Sequence, residues 1–341
     1  MKRGSKRITL KDLARHLNVS MMTVSRALND HPDINQKTKE RIIKLANELD
    51  YRPDSIARSL VQKRTYTIGI VVPEITYSFF PGALKGIEEV LFSAGYDIIL
   101  TCSNEKAERE EQILKNLESK RVEGILISAA QDADDIYPYE RIIKKGIPLV
   151  FFDRSVDGLN CSSVVVDDER GAFKIVEHLI QLGYQKIAHI SGFPGISISR
   201  DRLEGYKRAL KKCKIPVNKS YIVQSAFNEE SGYKAMKSLL KLEDPPEAVF
   251  AVNDPVAIGA YMAIKEEGLK VPRDIALVGF ADIATASILE VPLTTVYQPA
   301  YMVGKRAAER LLTELEGEGE VKPEKIVLKT RLMIRKSCGS I

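Results

Sequence analysis

Tryptophan is absent from these 341 residues, and cysteine and histidine each occur only four times. Cys102, Cys161, Cys213 and Cys338 stand far apart, with no C-x-x-C and no Cys/His pair at metal-ligand spacing. That distribution argues against a zinc site and for thiols kept reduced, as in a cytoplasm. The scattered histidines read as ordinary surface or core residues. No run of 18 apolar residues occurs, so no membrane span is expected. The opening MKRGSKRITL is basic but has no apolar stretch behind it, so it does not read as a secretory signal. Catalytic signatures are missing as well: there is no GxxxxGK[ST], no GxGxxG after a strand and no GxSxG. The acidic pairs Asp167-Asp168 and Glu229-Glu230 suit helix caps, and nothing nominates a nucleophile or a base. The expectation is a protein without cofactor, metal or catalysis.

What is present is unevenly spread. Residues 1–64 hold 15 Lys and Arg against 7 Asp and Glu, a balance of +8, whereas the remainder sums to −3. A +8 segment with helical apolar periodicity points to a folded polyanion-binding module rather than a solvated tail. In TLKDLARHL, Thr9 precedes Asp12 by three residues, as in a capping box, and Leu10, Leu13, Ala14 and Leu17 follow at helical spacing. Asn18 suits a left-handed helix stop and Ser20 a new N-cap. The next helix, 21–28, is expected to turn Val24 and Leu28 inward and to present Met22, Ser25, Arg26 and Asn29. A third helix after Asn35 would bury Ile42, Leu45, Ala46 and Leu49. Three short helices with so tight a turn read as a helix-turn-helix head. Exposed Met21-Met22 beside Ser25-Arg26 suits a groove better than bulk water.

From Thr67 the texture changes. TIGIVVP, YDIILTCS, VEGILISA and PLVFFD alternate with amphipathic helices at 79–94, 105–120 and 135–145. SSVVVDD is expected to begin a second series through KIAHISG, YIVQSA, EAVFAVN and IALVGFAD, with helices at 169–182, 200–213, 229–241 and 255–267. Repeated strand–helix order predicts parallel sheets flanked by helices, split into two lobes. LTTVYQP, a helix at 301–315 and KIVLKTRLMIR would complete the two sheets, so that the chain crosses between lobes around a hinged cleft. The expected division is a head at 1–52, a linker at 53–65 and a core at 66–341. Within the core, one lobe takes 66–162 with 297–323, and the other 163–294 with 325–341.

Open α/β sheets bind ligands at the carboxyl ends of their strands. Ser103-Asn104, Asp153, Asn253-Asp254 and Asp282 fall just there, Phe79-Phe80 follow the first strand, and Arg202 opens a helix after KIAHISG. Aromatic faces with Asn, Asp and Arg suit a small polyhydroxylated ligand, which needs directional hydrogen bonds and a stacking surface. Taken singly, an Asp after a strand is more often a helix cap.

TLKDLARHLNVSMMTVSRALN, YRPDSIARSL, TIGIVVP, AVFAVNDPVAIGAYMAI, VPRDIALVGFAD and PLTTVYQP, in that order, resemble the lactose-repressor/galactose-repressor family of bacterial transcription regulators. The likeness runs from about residue 8 to 335. It implies a helix-turn-helix headgroup, a hinge, and a core similar to periplasmic sugar-binding proteins, made of two doubly wound parallel-sheet lobes. It places Met21, Met22 and Arg26 on base edges of a pseudo-palindromic operator, with Thr9, Ser20, Thr23, Ser25 and Asn29 near phosphates. Arg26 can pair bidentately with guanine, and a methionine can pack on a thymine methyl. Hydroxyls position the backbone. The hinge, Asp54–Gln62, would insert Leu60, with Ala57 beside it, into the minor groove.

The resemblance further implies an effector held by Phe79, Phe80, Ser103, Asp153, Arg202, Asn253 and Asp282. Ala281 departs from the pattern, because an aspartate that accepts ligand hydrogen bonds commonly stands there. No leucine heptad follows RKSCGSI, so a homodimer is expected. The implied function is a cytoplasmic repressor of carbohydrate-use genes. Its operator affinity would follow a sugar or sugar derivative in the cleft. Control by a protein partner or a non-sugar ligand is the alternative. A bare sugar sensor, or an enzyme with an accessory DNA-binding head, fits less well.

Overall fold

Thr9 opens the first helix by exchanging hydrogen bonds with Asp12. The Asp12 amide donates to Thr9 Oγ1 (3.3 Å), and the Thr9 amide donates to Asp12 Oδ2 (3.0 Å). The computed structural model describes residues 8–51, 64–131, 135–317 and 321–340. The chain divides into two units, Met1–Thr65 and Tyr66–Ile341. In the first, α1 (Leu10–Leu17) ends at Asn18 in the left-handed conformation. Ser20 caps α2 (Met21–Leu28), and Asn35 caps α3 (Gln36–Glu48) through the Thr38 amide (2.8 Å). Leu13, Ala14, Val24, Ala27, Ile42 and Ala46 close the core of the head, with Leu28, Leu45 and Leu49 partly buried around it. The hinge residues 53–63, Ala57 and Leu60 among them, lie outside the described residues.

The second unit alternates as its apolar pattern predicts. The order runs β1 (Thr67–Val72), α4 (Phe79–Ser93), β2 (Asp97–Cys102), α5 (Ala107–Ser119), β3 (Gly124–Ile127), α6 (Tyr137–Lys144), β4 (Leu149–Phe152) and β5 (Ser162–Val166). It continues α7 (Asp168–Gln181), β6 (Ile187–Ser191), α8 (Ser197–Lys212), β7 (Ile222–Gln224), α9 (Glu229–Leu240), β8 (Ala248–Ala251), α10 (Asp254–Glu266) and β9 (Ala276–Val278). The tail adds β10 (Thr295–Tyr297), α11 (Ala300–Glu316), β11 (Lys325–Leu328) and β12 (Arg331–Met333). The sheets are ordered β11-β5-β4-β3-β1-β2 and β7-β6-β8-β9, with β10-β12 as a separate antiparallel pair. All pairings inside the two larger sheets are parallel.

Two expectations about the lobes are corrected. Ser162–Val166 does not start the second sheet; it pairs with β4 in the first, Val150 opposite Ser162. Lys325–Leu328, expected in the second lobe, pairs with β5 in the first. KIVLKTRLMIR is therefore two strands in different sheets, broken where Thr330 donates its amide (2.8 Å) and hydroxyl (2.6 Å) to Asp167 Oδ1. Strand periodicity is local, whereas the sheet partner is not written in it: β5 pairs with β4 twelve positions back, and β11 pairs with β5 more than 150 positions back. The boundary expected at 162/163 falls instead between β5 and α7 on the outward path, and between β11 and β12 on the return.

Glycine lets α4 and α11 touch backbone to backbone. A Cβ on Gly304 would lie 1.9 Å from the Ala83 carbonyl oxygen. Gly304→Val should therefore force the helices apart and lower core stability by about 1–3 kcal/mol. A urea midpoint falling at constant slope would show it; an unchanged midpoint would mean that the helix pair yields freely.

Candidate functional site

On the head, the short turn after α1 leaves one face of α2 uncovered. Met21 and Met22 are 51% and 63% exposed, whereas Val24 and Ala27 are buried. Met21 is thus not packed beneath the helix. Ser20 Oγ accepts from the Thr23 amide (3.0 Å) and lies 2.9 Å from Thr23 Oγ1, so both hydroxyls sit at the helix N-terminus. Asn29 Nδ2 donates to the Ser25 carbonyl (2.9 Å). The Arg26 guanidinium, half exposed, rests 3.5 Å from Asp33, which also lies 3.3 Å from His31 Nδ1. A pair this exposed is weak, so a stronger acceptor can displace Asp33. Thr9, at the cap of α1, is also exposed.

In the core, the carboxyl ends of β1, β2, β4, β6 and β8 meet around a cavity of about 420 Å³. Phe79, Phe80, Asp153, Arg202 and Asn253 line it, as expected from the sequence. Ser103 and Asp282 do not. Ser103 is wholly buried behind Asn104, which lines the cavity in its place. Asp282 is drawn off by Arg335, whose Nη2 donates to Oδ1 at 2.6 Å. It is Ala281 that faces the cavity. Asp254 is also turned inward, accepting from Thr295 Oγ1 (2.6 Å) and from the Ile283 amide (2.9 Å), and so it anchors the 281–283 segment. Burial pushes its carboxyl up to about 6.

The cavity's charges are tightly coupled. Arg202 is 2% exposed; its Nε (2.8 Å) and Nη2 (2.7 Å) reach Asp168 Oδ1, and its Nη1 donates to the Val252 carbonyl (2.7 Å). Its guanidinium carbon stacks 3.8 Å from the Phe280 ring centroid. Burial pushes the Asp168 carboxyl up to about 7, outweighing the Arg202 charge that pulls it down. Asp153, held at φ +63°, is raised by burial against the pull of Arg154 and Arg202. Asn253 works as a cap: its Oδ1 accepts from the Val256 amide (2.9 Å) and its Nδ2 donates to the Phe227 carbonyl (3.1 Å).

Sequence reasoning missed Arg154, Glu105, Phe227 and Tyr77. Arg154 donates through Nη1 to both Glu105 oxygens (3.0 and 2.8 Å) and stacks 4.4 Å from the Phe227 centroid. Its position straight after Asp153, at the end of β4, was the available signal. Tyr77 donates its hydroxyl to Glu229 across the cleft. The Ser155 amide donates to Ser197 Oγ (3.1 Å), the Ala284 amide donates to Ser78 Oγ (3.3 Å) and Arg200 pairs with Asp157, so several polar contacts join the lobes beside the cavity.

A helix-turn-helix head in one chain with a two-lobed, cleft-bearing core defines a DNA-binding regulator with a built-in ligand site. The pattern of bacterial regulatory proteins of the lacI family matches residues 9–54, and that of the periplasmic binding protein-like domain matches residues 176–338. The chain is 39% identical over 337 residues to a Bacillus subtilis (strain 168) protein named "Probable HTH-type transcriptional repressor ExuR", covering 97% of this chain and 98% of that one. It is 33% identical to the catabolite control protein A of Priestia megaterium, over 97% and 99% of the two chains. Among solved structures it is similar to the lac repressor dimer bound to operator and the anti-inducer ONPF (TM-score 0.86, 28% identity, 98% of this chain and 99% of that one). It is also similar to the regulator CelR in complex with cellobiose (TM-score 0.75, 28% identity, 97% and 100%). This chain belongs to the lacI family and is a DNA-binding transcription regulator. Among the described residues, no helix is long and apolar enough to cross a membrane.

Proposed function

We propose that this chain is a cytoplasmic, homodimeric repressor of carbohydrate-use genes. Residues 1–52 read the operator, 53–65 form the hinge, and a small carbohydrate in the core cavity sets operator affinity. The observation that carries the effector reading is the cavity itself: Phe79, Phe80 and Phe227 offer ring faces, and Asn104, Asp153 and Arg154 offer hydrogen-bonding groups, between two lobes joined by a few polar contacts. Carbohydrates are held by that combination. The cellobiose in the similar CelR complex fits the reading. Lobe closure on the ligand would shift the dimer between two populations with different hinge spacing.

On the head, Arg26 and Met22 are assigned to base edges, with Met21 beside them. Thr9, Ser20, Thr23, Ser25 and Asn29 are assigned to the phosphate backbone. The experiment is selection of bound duplexes from a random pool by the full-length chain, which should return a pseudo-palindrome. Recovery of unrelated sequences would defeat the reading. On the selected site, Arg26→Ala should cost about 1–3 kcal/mol and relax preference at one base pair per half-site. A uniform loss on every sequence would move Arg26 to phosphate.

A further inference from the structure

The two walls of the core cavity differ in chemistry. The first lobe contributes Phe79 and Phe80 together with Glu74, Asn104, Glu105, Asp153 and Arg154, of which Glu74 is engaged by the Thr76 and Tyr77 amides and Glu105 by Arg154. The second contributes Arg202, Asn228 and Asn253 beside an apolar patch of Ile198, Phe227, Ala281 and Ile283, which belong to a single cluster of that lobe. The polar groups of the second lobe are largely consumed internally. Asn253 uses both its oxygen and its nitrogen on the backbone around it. Arg202 is engaged by Asp168, the Val252 carbonyl and the face of Phe280. The two carboxylates nearest Ala281 are also committed, Asp282 to Arg335 and Asp254 to Thr295 and the Ile283 amide. A sugar hydroxyl pressed against the side chains of Ala281, Ile283 and Ile198 would give up its water without meeting an acceptor among them, whereas a methyl group would find apolar contact there.

We infer that the cavity selects a deoxy sugar of the 6-deoxyhexose type. Its hydroxyl-bearing edge lies on the first-lobe wall, and its methyl group lies against Ala281, Ile283 and Ile198. This rests on the carbohydrate reading above and narrows it. Apolar pockets discriminate a missing or added group by about 10- to 200-fold, and that is the scale available here.

The test is calorimetric titration of the full-length chain with matched pairs: L-rhamnose against L-mannose, L-fucose against L-galactose, and D-fucose against D-galactose. The expected result is a pair in which the deoxy sugar binds about tenfold or more tightly than its parent. Equal or tighter binding of the parent sugar would overturn the inference while leaving a carbohydrate effector in place. Binding of no member of any pair would overturn it too, and a wider carbohydrate screen that also failed would remove the carbohydrate reading itself. Ala281→Asn, which returns an acceptor to the wall, should narrow or invert the preference. Since Ala281 sits at φ +136°, a strained position, Ile283→Thr supplies a second variant that puts a hydroxyl on the wall in place of an ethyl group. An unchanged preference in both folded variants would show that the ligand does not touch this wall.

Discussion

Replacing Arg202 with alanine should lower core stability by about 3–5 kcal/mol, because the change strands a buried carboxylate. Asp168, 4% exposed, has Arg202 as its ion-pair partner at 2.7 Å. Without the guanidinium it must either remain charged in an apolar surround or take up a proton. Its carboxyl already titrates at about 7, so protonation offers an escape that strengthens with acid. The deficit of Arg202→Ala, measured by urea unfolding, should therefore be larger at pH 8 than at pH 5.5. Adding Asp168→Asn should restore part of the loss by removing the carboxylate. A deficit below about 1 kcal/mol at pH 8 would mean that the pair is structurally expendable. The consequence for function is direct: a failed effector response in Arg202→Ala cannot by itself be read as a lost ligand contact.

The core should also grow less stable as pH rises from about 4.5 to about 7, with Glu110 a principal cause. Glu110 is 1% exposed, accepts from Tyr139 Oη and from the Ala130 amide (2.9 Å), and is pushed by burial up to about 7. Its folded value lies above its unfolded one. The folded state therefore binds the extra proton between those values, and the stabilisation disappears as pH climbs through about 7. A shift of that size corresponds to roughly 3 kcal/mol at most. Asp168 and Asp254, also raised, act in the same direction. His189 opposes them. It is buried, stacked between Tyr206 and Phe250, and lowered by burial to about 4, so it costs stability as pH falls below about 6.5. Glu110→Gln, which keeps the shape and cannot ionise, should flatten the slope between pH 5 and 8. A slope identical to that of the parent protein would assign the pH dependence to other groups.

Much of the architecture is legible in the amino-acid sequence. The capping box at Thr9 and the left-handed stop at Asn18 are local backbone chemistry, and both occur as read. Helix limits in the core fall within about three residues of those expected, because apolar periodicity and capping residues act over a few positions. Sheet membership was not legible, since β5 and β11 find each other across more than 150 residues. The candidate site divides in the same way. Strand ends delivered Asp153, Asn253 and the Phe79-Phe80 pair to the cavity, as the general rule for open sheets predicts. The direction of a side chain after the strand depends on what competes for it. Arg335 takes Asp282, the interior takes Ser103, and the start of α10 takes Asn253 as its cap. Arg154 went unnoticed because a charge beside an aspartate reads as surface until the depth of the strand end is known.

Coupling between the core and the head is read directly from operator affinity with and without a ligand known to occupy the core. Fluorescence anisotropy of the selected duplex, titrated with the full-length chain, would be read at zero and at saturating concentration of the tightest-binding sugar from the matched pairs. A coupled switch predicts a change in operator Kd of about 5- to 150-fold, in either direction. Tight sugar binding with an operator Kd that does not move would contradict it.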